Sequence, residues 1–317
     1  MSLPNQFFSR IGGKLLGDGC ITKHGKRQPR FQFIHRIADF DWCNSCYNDL
    51  KQFIPLHPPT YRKTMDPRLK RGFSESYMVQ SKVDPVITDL ENLWYTDRVK
   101  KIPFDFLDEF LNEEALAWWY QDDGHLKVKS GIPQKIILST DSFTKDENVQ
   151  LTRMLNSRFS LSFSIDGQNR LVLYDQIQIV YFLRLVRPYL CLCMDRKDWK
   201  SRVQQSLFSS AKRTTIYLPK SLNIRHPSKE IQQQLFFLPH LQKLVTDNHT
   251  YRSLYIEMKS YFRIKQETKG YQFKFHPKDQ YLLKLIHAET GLNNSQIISL
   301  CFYLNLDRSK KTLSYRN

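Results

Sequence analysis

The sequence predicts an α+β fold made by internal duplication, with a further small module towards its C-terminal end. Three observations lead there. The stretches RIGGKLLGDGCITKHG (residues 10–25) and LAWWYQDDGHLKVKSG (residues 116–131) share one layout: small and apolar residues at helical spacing, an Asp-Gly stop, then a basic run with hairpin character. The segments after each copy alternate between strand and helix patterns in the same order. From about residue 206 that order gives way to serines, basic residues and prolines.

Counted from Asp18 to Asp123, the repeat is about 105 residues long. After the first copy, PRFQFIH alternates as a strand does and DFDWCNSCYNDLKQFI has helical spacing. TYRKTMDPRLKRGFSESYMVQ then reads as two strands around a basic turn, with a helix near 85–96. After the second copy come the strand PQKIILST, the helix KDENVQLTRMLNSRF, the hairpin LSFSIDGQNRLVLY turning at Asp166-Gly167, and a helix near 177–187. Both halves read α-β-β-α-β-β-α, with expected bounds of 1–112 and 113–205. The module over 206–317 holds the alternating strand RTTIYLPKSL, ending at Pro219, and a second strand opening GYQFKFHPKDQYLLKLIHAETGLNNSQIISLCFYL. Two short helices follow that strand, Gly291 closing the first and Asn293 or Asn294 capping the second.

Across 317 residues, 41% hydrophobic and 13% aromatic content is ample for real cores. The 48 Lys and Arg against 31 Asp and Glu leave a net charge of +17. An excess that large points to a polyanionic partner: DNA or RNA before an anionic membrane surface. Six scattered cysteines lack the density of a secreted scaffold and indicate a reducing compartment. Cys43-x-x-Cys46 is a lone pair within an apparent helix, which is not the two-pair spacing of a zinc site. No stretch approaches the roughly 18 apolar residues of a membrane span, and the N-terminus lacks a signal-peptide core. The expectation is an intracellular protein, in bacterial cytoplasm or an organelle.

Asp18 and Asp123 pose a physical problem. A carboxylate at a helix C-terminus adds negative charge to a dipole end and to carbonyls without intrahelical partners, costing about 0.3–1 kcal/mol. A single Asp-Gly is ordinarily a helix stop and turn. Two copies in equivalent surroundings suggest paired helix ends that hold a hard divalent cation such as Mg²⁺ for phosphodiester hydrolysis. Gly13 and Gly17, four apart on one face with Gly12 beside them, would let a second helix come close, with Ala117 serving in the second copy and Trp118 standing where the first has Gly13. Successive helical residues diverge by ~100°, so the register assigns Asp123 to the site and leaves Asp122 to offer its carbonyl, as Gly17 does.

With the motifs IGGKLLGDG (11–19) and LAWWYQDDG (116–124) in view, the chain resembles the LAGLIDADG homing endonucleases. The second motif is similar to the LA-x-W-x-x-DDG form of single-chain, two-motif members encoded within group I introns. RVKKIPFDFL before it, ILSTDSFTKDE after it and VRPYL (186–190) extend the likeness over residues 7–200, while Lys14 and Leu16 depart from the eponymous residues. The resemblance implies a monomer whose motif helices form the interdomain core. It also implies two four-stranded antiparallel sheets shaped as a saddle for the DNA major groove. Asp18 and Asp123 become metal-binding acids, with Lys197 and Lys100, or its neighbour Lys101, near the scissile phosphates.

Polar side chains on alternate strand positions suit a groove. Arg30, Gln32, Arg62, Lys63, Ser74, Ser76, Gln80, Lys127, Lys129, Gln134, Ser162, Ser164, Gln168 and Arg170 are the candidates, and Arg68, Lys70 and Arg71 in MDPRLKRG are set to grip phosphate. The C-terminal module resembles a ribbon-helix-helix unit in pattern. In that case TTIYLP and YQFKF pair, Tyr271, Phe273 and Phe275 face inward, and Gln272 and Lys274 face a groove.

Three functions compete: a Mg²⁺-dependent double-strand DNA endonuclease that spreads its intron, an RNA maturase assisting its own intron RNA, and a DNA-binding regulator without catalysis. Intein splicing signatures are missing around Met1, which favours a free-standing or intron-encoded protein.

Overall fold

The computed structural model describes residues 3–199 and 213–314. The chain falls into two compact units, one of residues 1–129, 134–174 and 182–199, the other of 130–133, 175–181 and 200–317. The boundary expected near residue 206 lies outside the described residues. Among the described residues no helix is long and apolar enough to cross a membrane.

The repeat runs α1 (Asn5–Leu16), β1 (Gly19–Thr22), β2 (Arg30–Arg36), α2 (Phe40–Leu50), β3 (Thr60–Met65), β4 (Phe73–Gln80) and α3 (Pro85–Trp94). A short hairpin, β5 (Tyr95–Thr96) and β6 (Val99–Lys100), and α4 (Phe104–Phe110) link it to the second copy. That copy runs α5 (Glu113–Asp123), β7 (Gly124–Lys129), β8 (Ile132–Leu138), α6 (Lys145–Phe159), β9 (Ser164–Ile165), β10 (Leu171–Leu173) and α7 (Gln176–Val186). The two antiparallel sheets have matching strand orders, β1-β2-β4-β3 and β7-β8-β10-β9, so the duplication expected from the sequence is present in the topology.

Helix α1 buries Phe7, Ile11 and Leu15 completely. Helix α5, started by the Asn112 side chain accepting the Ala115 N–H, is buried all round from Ala115 to Gln121. These two helices pack directly on each other. A Cβ placed on Gly13 would lie 2.8 Å from Trp118 Cβ and closer still to the Ala115 carbonyl, and one on Gly17 would lie 2.6 Å from Asp122 Cβ. Glycine at both positions is therefore what lets the backbones meet. The Arg10–Glu114 ion pair at 2.7 Å and the Asn112–Ser9 hydrogen bond at 2.9 Å fix the same contact.

Strand β2 shows the expected alternation, with Phe31, Phe33 and His35 inside and Arg30, Ile34 and Arg36 outside. Helix α6 begins with a reciprocal cap between Thr144 and Glu147. The β9–β10 loop differs from the tight Asp166-Gly167 turn read from the sequence. The left-handed position falls on Asn169 (φ 60°), because the Asp166 carboxylate accepts the N–H groups of Gln168 and Arg170 and props open a wider loop.

In the second unit, β11 (Arg213–Pro219) precedes α8 (Pro227–Leu235), α9 (Leu238–Thr246) and α10 (Asn248–Arg263), and β12 (Thr268–Lys274) precedes α11 (Pro277–Thr290) and α12 (Asn294–Ser314). The two strands pair antiparallel from Arg213 opposite Lys274 to Pro219 opposite Thr268. Gly291 closes α11 at φ 74°, and Asn293 is the cap of α12, its side chain accepting the Gln296 N–H at 3.0 Å. Helix α12 spans 21 residues rather than the short helix expected, and the three helices between the strands were not anticipated.

Candidate active site

The close approach of α1 and α5 brings their C-terminal ends together. Gly17 N–H turns back to the Gly13 and Lys14 carbonyls at 3.2 and 3.1 Å, and Gly124 N–H to the Tyr120 carbonyl. Asp18 follows the first end and Asp123 is the last residue of the second. Burial and then the neighbouring Asp122 carboxylate push Asp18 up to about 6. Burial followed by the charges of Asp18 and Asp122 pushes Asp123 up to about 7. Asp123 thus feels Asp18 as a like charge, and Asp122 raises both, so negative charge gathers where the two helices end.

Asp122 has a different environment. Its Oδ1 accepts from Lys14 Nζ and Trp42 Nε1, both at 2.8 Å, and its Oδ2 accepts from Lys14 at 3.0 Å and from the Asp18 N–H at 3.2 Å. The carbonyl that the sequence reading assigned to the site accepts Lys197 Nζ at 3.2 Å. Burial is the largest influence on Lys14 and lowers its pKa, but the surrounding negative groups, Asp122 foremost and Asp18 with it, together outweigh burial and hold the ammonium above its ordinary value.

His35 Nε2 lies 2.7 Å from Lys14 Nζ, and its Nδ1 lies 3.3 Å from Asp18 Oδ2. Burial and the Lys14 charge depress the imidazole to about 3, so it is neutral. With Nε2 accepting from Lys14, the ring proton falls on Nδ1, the nitrogen that lies beside Asp18. A chain Asp122–Lys14–His35–Asp18 results. Lys14, His35 and Trp42 were missed in the sequence, where the available signal was a lysine set among small and apolar residues on a helix.

Asp18, His35 and Asp122 bring ligand atoms within 4.8 Å of one another, near enough to hold a metal ion. The Lys14 ammonium already bonds to two of these three. The acids left for an added cation are Asp18 and Asp123, and two raised carboxyls of oxygen-donor chemistry fit a hard divalent ion.

The lysines stand at the same helix ends. Lys100 follows a turn with Asp97 and Arg98 at φ 50° and 67°, and its Nζ donates to the Gly19 carbonyl at 2.8 Å. Burial lowers it to about 8. Lys101 is exposed, so of the two candidates Lys100 is the one directed to the site. Lys197 Nζ caps α5, donating to the carbonyls of Tyr120 at 3.0 Å, Asp122 at 3.2 Å and Gln121, and burial lowers it to about 8.

The strand candidates sort by register. On the first sheet Arg30, Gln32 and Gln80 form a hydrogen-bonded row, and cross-strand pairing puts Ser76 and Arg62 on the same face, with Ser74 two residues along. Lys63 does not join them. As the neighbour of Arg62 it points to the opposite face, 4.0 Å over the Phe73 ring. In the turn, Arg68 is tied to Asp66 and Arg71 to Glu75, while Lys70 is exposed.

On the second sheet Lys127 and Lys129 are exposed on one side of β7. Ser164 pairs with Val172 and so with Ile137, which puts Gln134 on the other side of β8. The Ser162 and Ser164 hydroxyls donate to Asn156 and to the Val172 carbonyl, and Arg170 is held by Asp166 at 2.7 Å. Gln168 is exposed in the loop, and Gln272 and Lys274 are exposed on the ribbon of the second unit. Arg36, at the end of β2 on the face of Gln32, and the Lys26 and Arg27 side chains lining a groove with Arg30 and Gln80, were missed; the basic run KHGKRQP was the signal for Lys26 and Arg27.

Three comparisons bear on this arrangement. An uncharacterised protein of Methanocaldococcus jannaschii is 31% identical over 57% of this chain and 68% of its own length. A cytochrome b mRNA maturase of Debaryomyces hansenii is 26% identical over 62% of this chain and 74% of its own. The homing endonuclease I-WcaI, solved bound to its DNA recognition sequence, superposes with a TM-score of 0.55 at 21% identity, over 62% of this chain and 87% of its own. Residues 8–179, which contain both motifs and both sheets, match the family model described as the LAGLIDADG DNA endonuclease family, and the chain belongs to that family.

Proposed function

We propose that this chain is a site-specific endonuclease that hydrolyses both strands of a DNA duplex, with Mg²⁺ held by Asp18 and Asp123, and that it promotes the mobility of its intron. The observation that carries the reading is the pair of carboxyls, Asp18 and Asp123, at adjoining helix ends, both raised chiefly by burial, with the Asp18 charge adding to the rise at Asp123. A divalent cation there supplies charge neutralisation and water activation. Lys100 and Lys197, both lowered to about 8, are placed to balance phosphate charge. His35 Nδ1 lies 3.3 Å from the Asp18 carboxylate, and Asp122 holds the Asp18 backbone. Arg30, Gln32, Arg62 and Gln80 present to the major groove the side chains that bind guanine and adenine edges. The DNA-bound relative supports this partner.

Supercoiled plasmid carrying the intron-less insertion site should become linear with Mg²⁺ and stay supercoiled with EDTA. Uncut plasmid under both conditions would defeat the proposal. The similarity to a maturase favours a second activity, binding of the chain's own intron RNA. Asp18→Asn with Asp123→Asn separates the two, since splicing assistance should persist when cutting is lost.

A further inference from the structure

The β11–β12 ribbon has two chemically distinct faces. Ile216, Leu218 and Phe273 are buried, while Arg213, Thr215, Tyr217, Gln272 and Lys274 all stand in solvent. In the pairing register Arg213 lies directly opposite Lys274, and Thr215 opposite Gln272. Like charges facing each other across a ribbon oppose its pairing. No acidic side chain among the described residues forms an ion pair with either. The groove beside them is lined by Arg213, Lys274, Gln272, Ser228, Lys229 and Gln232, again without an acid. The strand backbone is braced from the α12 side, where Ser295 Oγ accepts the Tyr217 N–H at 3.0 Å.

Such a face calls for an extended polyanion. A two-stranded ribbon fits the major groove of B-form DNA, about 12 Å wide, whereas the deep, narrow major groove of an A-form RNA helix does not admit it. A lipid surface would call for apolar side chains, and Tyr217 is the one aromatic among the five exposed residues. We propose that the outer face of the β11–β12 ribbon is a second duplex-DNA-contacting surface. Arg213, Lys274 and Lys229, clustered at one end of the ribbon, meet phosphates, and Thr215 and Gln272, a cross-strand pair two residues further along the same face, point to the groove floor. This inference goes beyond the cleavage reading and stands whether or not Asp18 and Asp123 cut.

The test measures binding of the full chain to a pool of random-sequence DNA duplexes in EDTA across a series of KCl concentrations. The variant Arg213→Ala/Lys229→Ala/Lys274→Ala should flatten the plot of log affinity against log salt by about 0.9 per lost phosphate contact, about 2.7 in all. Arg213→Lys/Lys274→Arg, which keeps both charges, should retain the slope, and Lys243→Ala on α9 should leave it unchanged. All three residues of the triple variant are exposed, so its thermal melting should match the parent and exclude unfolding as the cause. An unaltered slope and affinity in the triple variant would overturn the proposal. So would double-stranded RNA bound as tightly as DNA with the same dependence on these residues. Loss of cutting in Asp18→Asn with DNA binding intact bears only on the cleavage reading.

Discussion

The Lys14 ammonium lies 2.8 Å from Asp122 Oδ1, and neither side chain reaches solvent. The pair joins the two motif helices 108 positions apart, and through His35 and the Asp18 N–H it also fixes the acid at the first helix end. A buried ion pair contributes little net stability against an apolar replacement, but a buried charge left alone is expensive.

Lys14→Met should therefore destabilise the fold by about 3–5 kcal/mol in urea unfolding. Adding Asp122→Asn, which removes the stranded charge and keeps one carbonyl acceptor, enough for the Trp42 Nε1–H or the Asp18 N–H but not both, should recover part of that loss. A double variant no more stable than Lys14→Met would show that the two do not act as a unit.

The two raised acids set opposite pH trends for the free and the metal-loaded protein. Asp18 and Asp123 bind protons more tightly when folded than at their ordinary value of 3.8, so the metal-free fold loses stability as pH rises from about 4 to about 6 and 7. Above pH 7, in EDTA, Asp18→Asn/Asp123→Asn should be more stable than the parent by about 0.3–1 kcal/mol per carboxylate. Affinity for Mg²⁺ runs the other way, rising through the same window as the protons leave. Calorimetric titration at pH 5.5 and 7.5 checks it, and equal affinities at the two values would contradict the assignment of these ligands.

Lys100→Met should lower the cleavage rate by about 10²–10³-fold, the usual effect of removing one donor that stabilises developing charge. Lys101→Met should leave the rate near that of the parent, since this lysine is exposed. Because Lys100 and Lys197 are both lowered to about 8, the parent's rate should also fall as pH passes that value and their charge is lost. Equal defects at positions 100 and 101 would argue against a direct role for Lys100.

The duplication was readable because helix and strand periods differ, and both copies keep them in one order. The position of Asp18 and Asp123 at helix ends was readable because acid at a helix C-terminus is locally unfavourable and occurs twice. Lys14 was not, because its partner is distant in sequence and its apolar setting in IGGKLLG hints at burial without saying which acid it meets. Lys63 was misplaced by treating a basic dipeptide as one surface, although successive strand residues face opposite ways. Helices α8 to α10 were hidden by composition. Their buried residues Ile231, Leu235, Leu238, Leu241 and Val245 keep helical spacing, but Pro227 and Pro239 look like breakers when each occupies a helix's first turn.

Gly13 receiving Trp118 has an evolutionary and a practical meaning. One motif helix is hollowed and the other filled, so the halves have become complementary parts instead of interchangeable copies. Two first halves brought together would leave an empty seam with two lysines facing no acid, and two second halves would drive tryptophan into tryptophan. Chimeras that shuffle halves among relatives must therefore carry Gly13 with Trp118, and Lys14 with Asp122, as matched sets.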